Sequence, residues 1–127
     1  QPYGQLTDAQ WRRLTETSTR RLPDGRVTPH YDPAIVGQFV HHPDDYLIWH
    51  HYDALAIPVL LLRGVESDLV LKETAEAMTR RGPGARGLLQ WAEVAGCGHA
   101  PALNVSDQLE LVSGFIERVH AAPALAA

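Results

Sequence analysis

The sequence predicts an α/β fold built on parallel strands, and three observations predict it. Residues 57–64, IPVLLLRG, form a continuous apolar run closed by a charge and a glycine. Such a run without alternation suits a strand covered on both faces, as in a parallel sheet. Residues 87–94, GLLQWAEV, read as a second strand, and both stretches are followed by segments with helical spacing, 69–81 and 106–119. Strand, helix, strand, helix with short turns is a βαβα unit, which implies parallel pairing and a right-handed crossover.

The elements before that unit are shorter. LTDAQW opens a helix with two signals: Thr7 and Gln10 form a T-x-x-Q capping box, and Leu6 and Trp11 sit where a hydrophobic staple forms. This helix is expected to run to about Arg21 and stop at LPDG, a turn of Pro23, Asp24 and Gly25. RVTPHY is then extended, and Asp32-Pro33 reads as a cap followed by a proline in the first helical turn. Ile35, Val36, Phe39 and Val40 give an apolar face at helical spacing until Pro43. DDYLIWHHYDAL is expected to form another short helix capped by Asp44 or Asp45.

In the second half, Leu71, Ala75 and Met78 share one face of the helix over 69–81, with Glu76 and Arg80 as an i,i+4 pair and GPG as its stop. The helix over 106–119 carries Leu109, Val112, Ile116 and Val119 in a stripe. There are no internal repeats, and an Ala-rich tail closes the chain. A two-stranded sheet is marginal by itself. So apolar a strand as 57–64 therefore implies more sheet upstream, and the chain is expected to be the C-terminal part of a larger α/β protein, an incomplete fold. It opens on Gln1 rather than Met, consistent with a partial or processed form.

Composition narrows the function. Of 127 residues, 45% are hydrophobic and 20% charged, with a net charge of -4, as in an ordinary soluble globular chain. Eleven basic and fifteen acidic side chains are interspersed, so no basic face argues for nucleic acid or an anionic membrane. No apolar run approaches the roughly 20 residues of a bilayer span, and no signal-peptide pattern is present. The single cysteine, Cys97, has no internal disulfide partner, which favours a reducing, cytoplasmic setting.

The residues with chemistry fall in the two loops expected at the carboxyl ends of the strands, where open α/β sheets collect functional groups. The first loop holds Glu66, Ser67 and Asp68, and the second, AGCGHAP, holds His99. Neighbouring strands end roughly 5 Å apart, so an Asp68 carboxylate is able to accept from the His99 imidazole, fixing its tautomer and stabilising its cation. Gly96 and Gly98 give that loop the backbone freedom to turn the ring over the sheet. Glu66 competes with Asp68 for the acid role, and Asp68 also suits a helix cap. Ser67 suits a cap or turn. Cys97 lies two residues from His99 on a tight loop, poorly placed as a nucleophile. The pairs His41-His42 and His50-His51 lack the spacing of a zinc site, so no metal is expected.

PVLLLRGVESDLV followed by GCGHAPAL resembles the C-terminal third of an α/β-hydrolase-fold enzyme, of the capped serine-hydrolase branch. LTDAQW, DGRVTPHYDPAI and IWHHYDAL resemble the cap-and-return region of that branch, so the resemblance covers almost the whole chain. It implies a doubly wound, mostly parallel sheet, of which two main strands with flanking helices lie here. Residues 1–55 are then helical cap or lid segments, and 56–127 the C-terminal βαβα part of the core. It implies Asp68 as the triad acid, His99 as the general base, and Trp49, Leu69 and Ala100 near the substrate.

The departure is the nucleophile: no G-x-S-x-G elbow occurs in these residues, and the oxyanion-hole loop is expected to be absent with it. Ser67, Ser106 and Ser113 do not replace it. The resemblance thus implies a hydrolase of esters, lactones or activated carbonyls, acting on a small molecule without a cofactor, with the isolated chain inactive. An aspartate nucleophile, as in dehalogenases and epoxide hydrolases, would use the same acid and base. A non-catalytic binding module of the same fold is the alternative from another class. Open sheet edges lead us to expect self-association or pairing with the N-terminal part.

Overall fold

The computed structural model describes residues 3–121. They fall into two compact units: one is Leu6–Ile48, and the other joins the few described residues before Leu6 to those from Trp49 onward. The Ala-rich tail lies outside the described residues.

In the first unit, helix α1 spans Asp8–Ser18 and begins as the sequence requires. The Thr7 side chain accepts from the Gln10 amide at 3.3 Å, and Gln10 Oε1 accepts from the Thr7 amide at 2.8 Å, so the capping box is complete. The helix stops at Ser18, three residues before the expected end, because Thr19–Arg21 become strand β1. This strand pairs antiparallel with β2, Val27–Pro29, across the turn at Asp24 and Gly25. Several threonines weaken the last turns of the helix: Thr15, Thr17 and Thr19 bond back to carbonyls of the preceding turn. Asp32 does cap the next element, accepting from Ala34 N–H at 2.9 Å, but that element is a 3-10 turn, Pro33–Val36, followed by the short α2, Gly37–His41.

The helix expected over DDYLIWHHYDAL is two pieces. Pro43–Tyr46 is a 3-10 turn with His42, not Asp44 or Asp45, at its cap, and α3 is Trp49–Ala54. The apolar face of Ile35, Val36, Phe39 and Val40 is exposed, although Phe39 stacks on Tyr46 with ring centroids 4.8 Å apart.

The second unit contains α3 and the expected parallel pair. Strand β3 is Val59–Gly64, α4 is Lys72–Thr79, α5 is Gly82–Ala85, β4 is Leu89–Val94 and α6 is Ser106–Ala121. β3 and β4 pair in parallel from Val59↔Leu89 to Gly64↔Val94. β3 starts at Val59 rather than Ile57 because Pro58 has no N–H for the ladder. The helix expected over 69–81 is shorter, and its GPG stop forms α5 as a separate helical turn. Gly84 makes that possible: a Cβ there would lie 2.0 Å from the Met78 carbonyl oxygen. Arg80 sits just past the end of α4, and the expected Glu76–Arg80 ion pair is not among those formed by the described residues.

Residues 49–55, grouped with the cap segments on sequence, are held in the strand-bearing unit by Arg81. Its guanidinium binds the Asp53 carboxylate through Nε at 2.7 Å and again through Nη2, and stacks 4.3 Å over the Trp49 ring. Arg86 adds bonds to the carbonyls of Leu55 and Asp53 at 2.6 and 3.0 Å.

The buried apolar core of the described residues is small: Ala75, Val94 and Cys97, with Pro83 also fully buried. The four apolar residues of β3 are half-buried rather than covered on both faces, and Leu109 and Ile116 of the α6 stripe are about half exposed. Arg118 ties α6 to β4 by donating to Gln90 at 2.6 Å.

Candidate functional site

The candidate site is assembled at the carboxyl ends of β3 and β4, which finish side by side at Gly64 and Val94. The ladder continues into the loops: the Val65 amide donates to the Val94 carbonyl and the Glu66 amide to the Cys97 carbonyl, both at 3.0 Å. Between them Gly64 allows a contact that no side chain permits. A Cβ on it would lie 1.9 Å from the Gly98 carbonyl oxygen and 2.4 Å from that of Cys97. The loop that delivers His99 therefore lies directly on the strand that delivers Asp68.

The first loop turns at once. Ser67 is buried, its amide donates to the Gly64 carbonyl at 3.0 Å, and its hydroxyl accepts from the Val70 amide at 3.1 Å. Ser67 is thus a turn residue, and α4 starts later, with Leu71 at its cap and no side-chain capping bond. Asp68 does not cap that helix: it stands exposed on the bend between Ser67 and Val70. Glu66 and Leu69 are exposed as well.

In the second loop the left-handed backbone falls on Gly96, with φ +65. Cys97 is 1% exposed, and burial pushes its thiol upward, helped by the nearby Glu66 carboxylate. A buried thiol held protonated is a packing group, not a nucleophile. Gly4 closes over it, and a Cβ there would meet the Gly96 carbonyl at 2.9 Å and the Cys97 sulfur at 3.1 Å. His99 follows on an exposed bend, and Ala100 is half-buried. Asp68 and His99 are thus brought to adjacent strand ends, but no hydrogen bond or ion pair within 4.0 Å joins them among the described residues.

Trp49 has its ring face taken by Arg81 and an edge contact with Tyr52 at 5.9 Å between centroids. Neither the groove along α6 nor the recess lined by Gln38, His42, Asp45 and Tyr46 includes Trp49, Leu69 or Ala100. Among the described residues no three His, Cys, Asp or Glu side chains gather to hold a metal ion, and no helix is long and apolar enough to cross a membrane.

Two supports went unread in the sequence. Arg63, 6% exposed, reaches into the first loop and pairs with Glu93 at 2.9 Å. Each is the fifth residue of its six-residue strand, so equal register was the available signal. Further along, Leu103 adopts φ +51 and its amide donates to Gln108 Oε1 at 2.8 Å, closing the second loop onto α6. Nothing local in the sequence marks a leucine for that conformation.

No model of a known protein family matches the chain. It is similar to a 3-hydroxybutyrate-oligomer hydrolase from Cupriavidus necator, 30% identical over 122 residues, an alignment covering 89% of this chain and 40% of that protein. Among solved structures it is similar to an α/β hydrolase from Novosphingobium aromaticivorans, with a TM-score of 0.72, 30% identity, and coverage of 90% of this chain and 40% of the other. It is also similar to E-2-(acetamidomethylene)succinate hydrolase, with a TM-score of 0.60, 26% identity and coverage of 80% and 36%. The chain spans about two fifths of the length of these proteins. Parallel strands, a helical crossover and paired loops at the strand ends meet these likenesses in one conclusion: the 127 residues form part of an α/β-hydrolase fold.

Proposed function

We propose that this chain supplies the acid and the base of a hydrolase acting on an ester, lactone or other activated carbonyl. Asp68 is the acid and His99 the base. A serine carried outside these 127 residues attacks the carbonyl, His99 takes its proton and passes it to the leaving group, and Asp68 orients the ring and stabilises its cation. The chemistry needs no cofactor. Leu69 and Ala100, next in sequence to the pair, contact the substrate. The name of the Cupriavidus necator relative points to short hydroxy-acid ester oligomers as the substrate class.

The observation that carries this reading is the packing of the two loops at Gly64, which sets Asp68 and His99 on neighbouring strand ends of a hydrolase fold. Catalytic hydrogen bonds are often long or misaligned before substrate binds, and both side chains here are exposed. The unmade Asp68–His99 bond favours one second reading, a binding module that keeps the fold without the chemistry.

Kinetics on the polypeptide that carries the nucleophile separates the two. His99→Ala and Asp68→Asn are each expected to lower kcat by roughly 10²–10⁴-fold, with the thermal midpoint unmoved. Full activity in either variant removes that residue from the mechanism, and a folded but inactive parent favours the binding module. The isolated 127-residue chain is expected to leave p-nitrophenyl acetate at its buffer rate; turnover abolished by His99→Ala would overturn that.

A further inference from the structure

We infer that Arg63 is a positioning residue that sets the shape of the Asp68 loop from inside the fold. The role in a reaction rests on the acid assignment made above; the clamp itself does not. Arg63 lies one residue before the end of an otherwise apolar strand and is 6% exposed, a costly place for a cation unless it is paired and hydrogen-bonded. Its Nε donates to the Val70 carbonyl at 2.7 Å. Nη1 donates to the Glu93 carboxylate at 2.9 Å and to the Val65 carbonyl at 3.3 Å, and Nη2 to the Ser67 carbonyl at 3.4 Å.

The three carbonyls bracket Asp68, two before it and one after. One planar group thus fixes both ends of the bend that presents the carboxylate. Glu93 supplies the counter-charge from the paired position on β4, so the clamp is referenced to the sheet and not only to its own loop. A guanidinium fits this task because its five donors lie in a rigid fork. A lysine at the same place has one nitrogen and cannot reach carbonyls on both sides of the bend.

Amide hydrogen exchange on the 127-residue chain tests this. The amides of Glu66, Ser67 and Val70 are all hydrogen-bonded in the loop. In Arg63→Lys they are expected to exchange roughly tenfold faster, the scale of one lost hydrogen bond, while the β3 and β4 ladder amides keep their rates. Unchanged loop rates overturn the inference. So does a uniform rise in loop and ladder together, which would make Arg63 an ordinary stabilising residue. Should Arg63→Lys not fold, Glu93→Gln decides: it keeps the acceptor but drops the charge, and the loop amides alone should speed up, with no loop effect again overturning the clamp. Asp68→Asn leaves loop exchange unchanged in the 127-residue chain and lowers turnover only in the polypeptide that carries the nucleophile, so failure of the acid assignment and failure of the clamp are told apart.

Discussion

Replacing Gly64 by alanine places one methyl group against the backbone of the neighbouring loop. The new Cβ would stand 1.9 Å from the Gly98 carbonyl oxygen, where ordinary contact begins at 3.4 Å, so the two must part by 3.4 − 1.9 = 1.5 Å. The obstacle is main chain, which no rotamer change relieves. Moving residues 97–98 that far breaks the 3.0 Å bond from the Glu66 amide to the Cys97 carbonyl. Overpacking costs about 1–3 kcal/mol and the lost hydrogen bond about 1 kcal/mol, giving about 2–4 kcal/mol. At about 4–8 °C per kcal/mol for a small domain, the thermal midpoint should fall by roughly 10 °C or more.

Gly96→Ala is the control for this experiment. Nothing lies within 4 Å of its Cβ, and only the left-handed φ of +65 opposes it, at about 1–2 kcal/mol. Thermal melts by circular dichroism compare the two variants. If Gly64→Ala melts no lower than Gly96→Ala, the loops do not touch and the account of the site's assembly is wrong.

Three further outcomes are expected. The Arg81 hydrogen bond holds the Asp53 carboxyl below the usual carboxylate range, so its contribution to stability is present at neutral pH and is lost as pH falls through that lowered value. Asp53→Asn should therefore melt below the parent at pH 6, with the gap closing as pH falls past the ordinary carboxylate range; a gap independent of pH refutes the pairing. The Cys97 thiol, buried and pushed upward, should react with Ellman's reagent at pH 8 only slowly in the folded chain and at once in denaturant, and rapid labelling of the native chain refutes its burial. Each strand of the β3–β4 pair has one unpaired edge among the described residues, and unpaired edges recruit other chains. Light scattering at rising concentration should show association, and a constant monomer mass refutes it.

What was legible in the sequence is what local chemistry decides. The Thr7–Gln10 capping box, the Asp32 cap, the two apolar strands and the closing helix all stand where side-chain type and spacing put them. Where a distant partner decides, the sequence misled or was silent. α1 gives up its last three expected residues because Val27–Pro29 offer them strand pairing. α4 ends at Thr79, short of its GPG stop, and that stop coils into a turn of its own where Gly84 packs against the Met78 carbonyl. Arg63 looks on sequence like no more than a charge ending an apolar run, because Glu93, which completes it, lies thirty residues away. At the candidate site, Asp68 and His99 were reachable because the end of a parallel strand is a place sequence can identify. Gly64 was not, since its necessity comes from a carbonyl 34 residues later.

The Arg63 clamp has a consequence for how this loop tolerates change. Within the loop it grips main-chain oxygens only, at positions 65, 67 and 70, so the loop's path does not depend on the side chains at 65, 66, 68 and 69, all exposed. Positions 65 and 66, outside the proposed acid and substrate contact, form a recodable surface on a fixed backbone, open to saturation libraries that leave the frame standing. A new polar group placed there arrives at the same strand end, above the same neighbouring loop, whichever residue carries it.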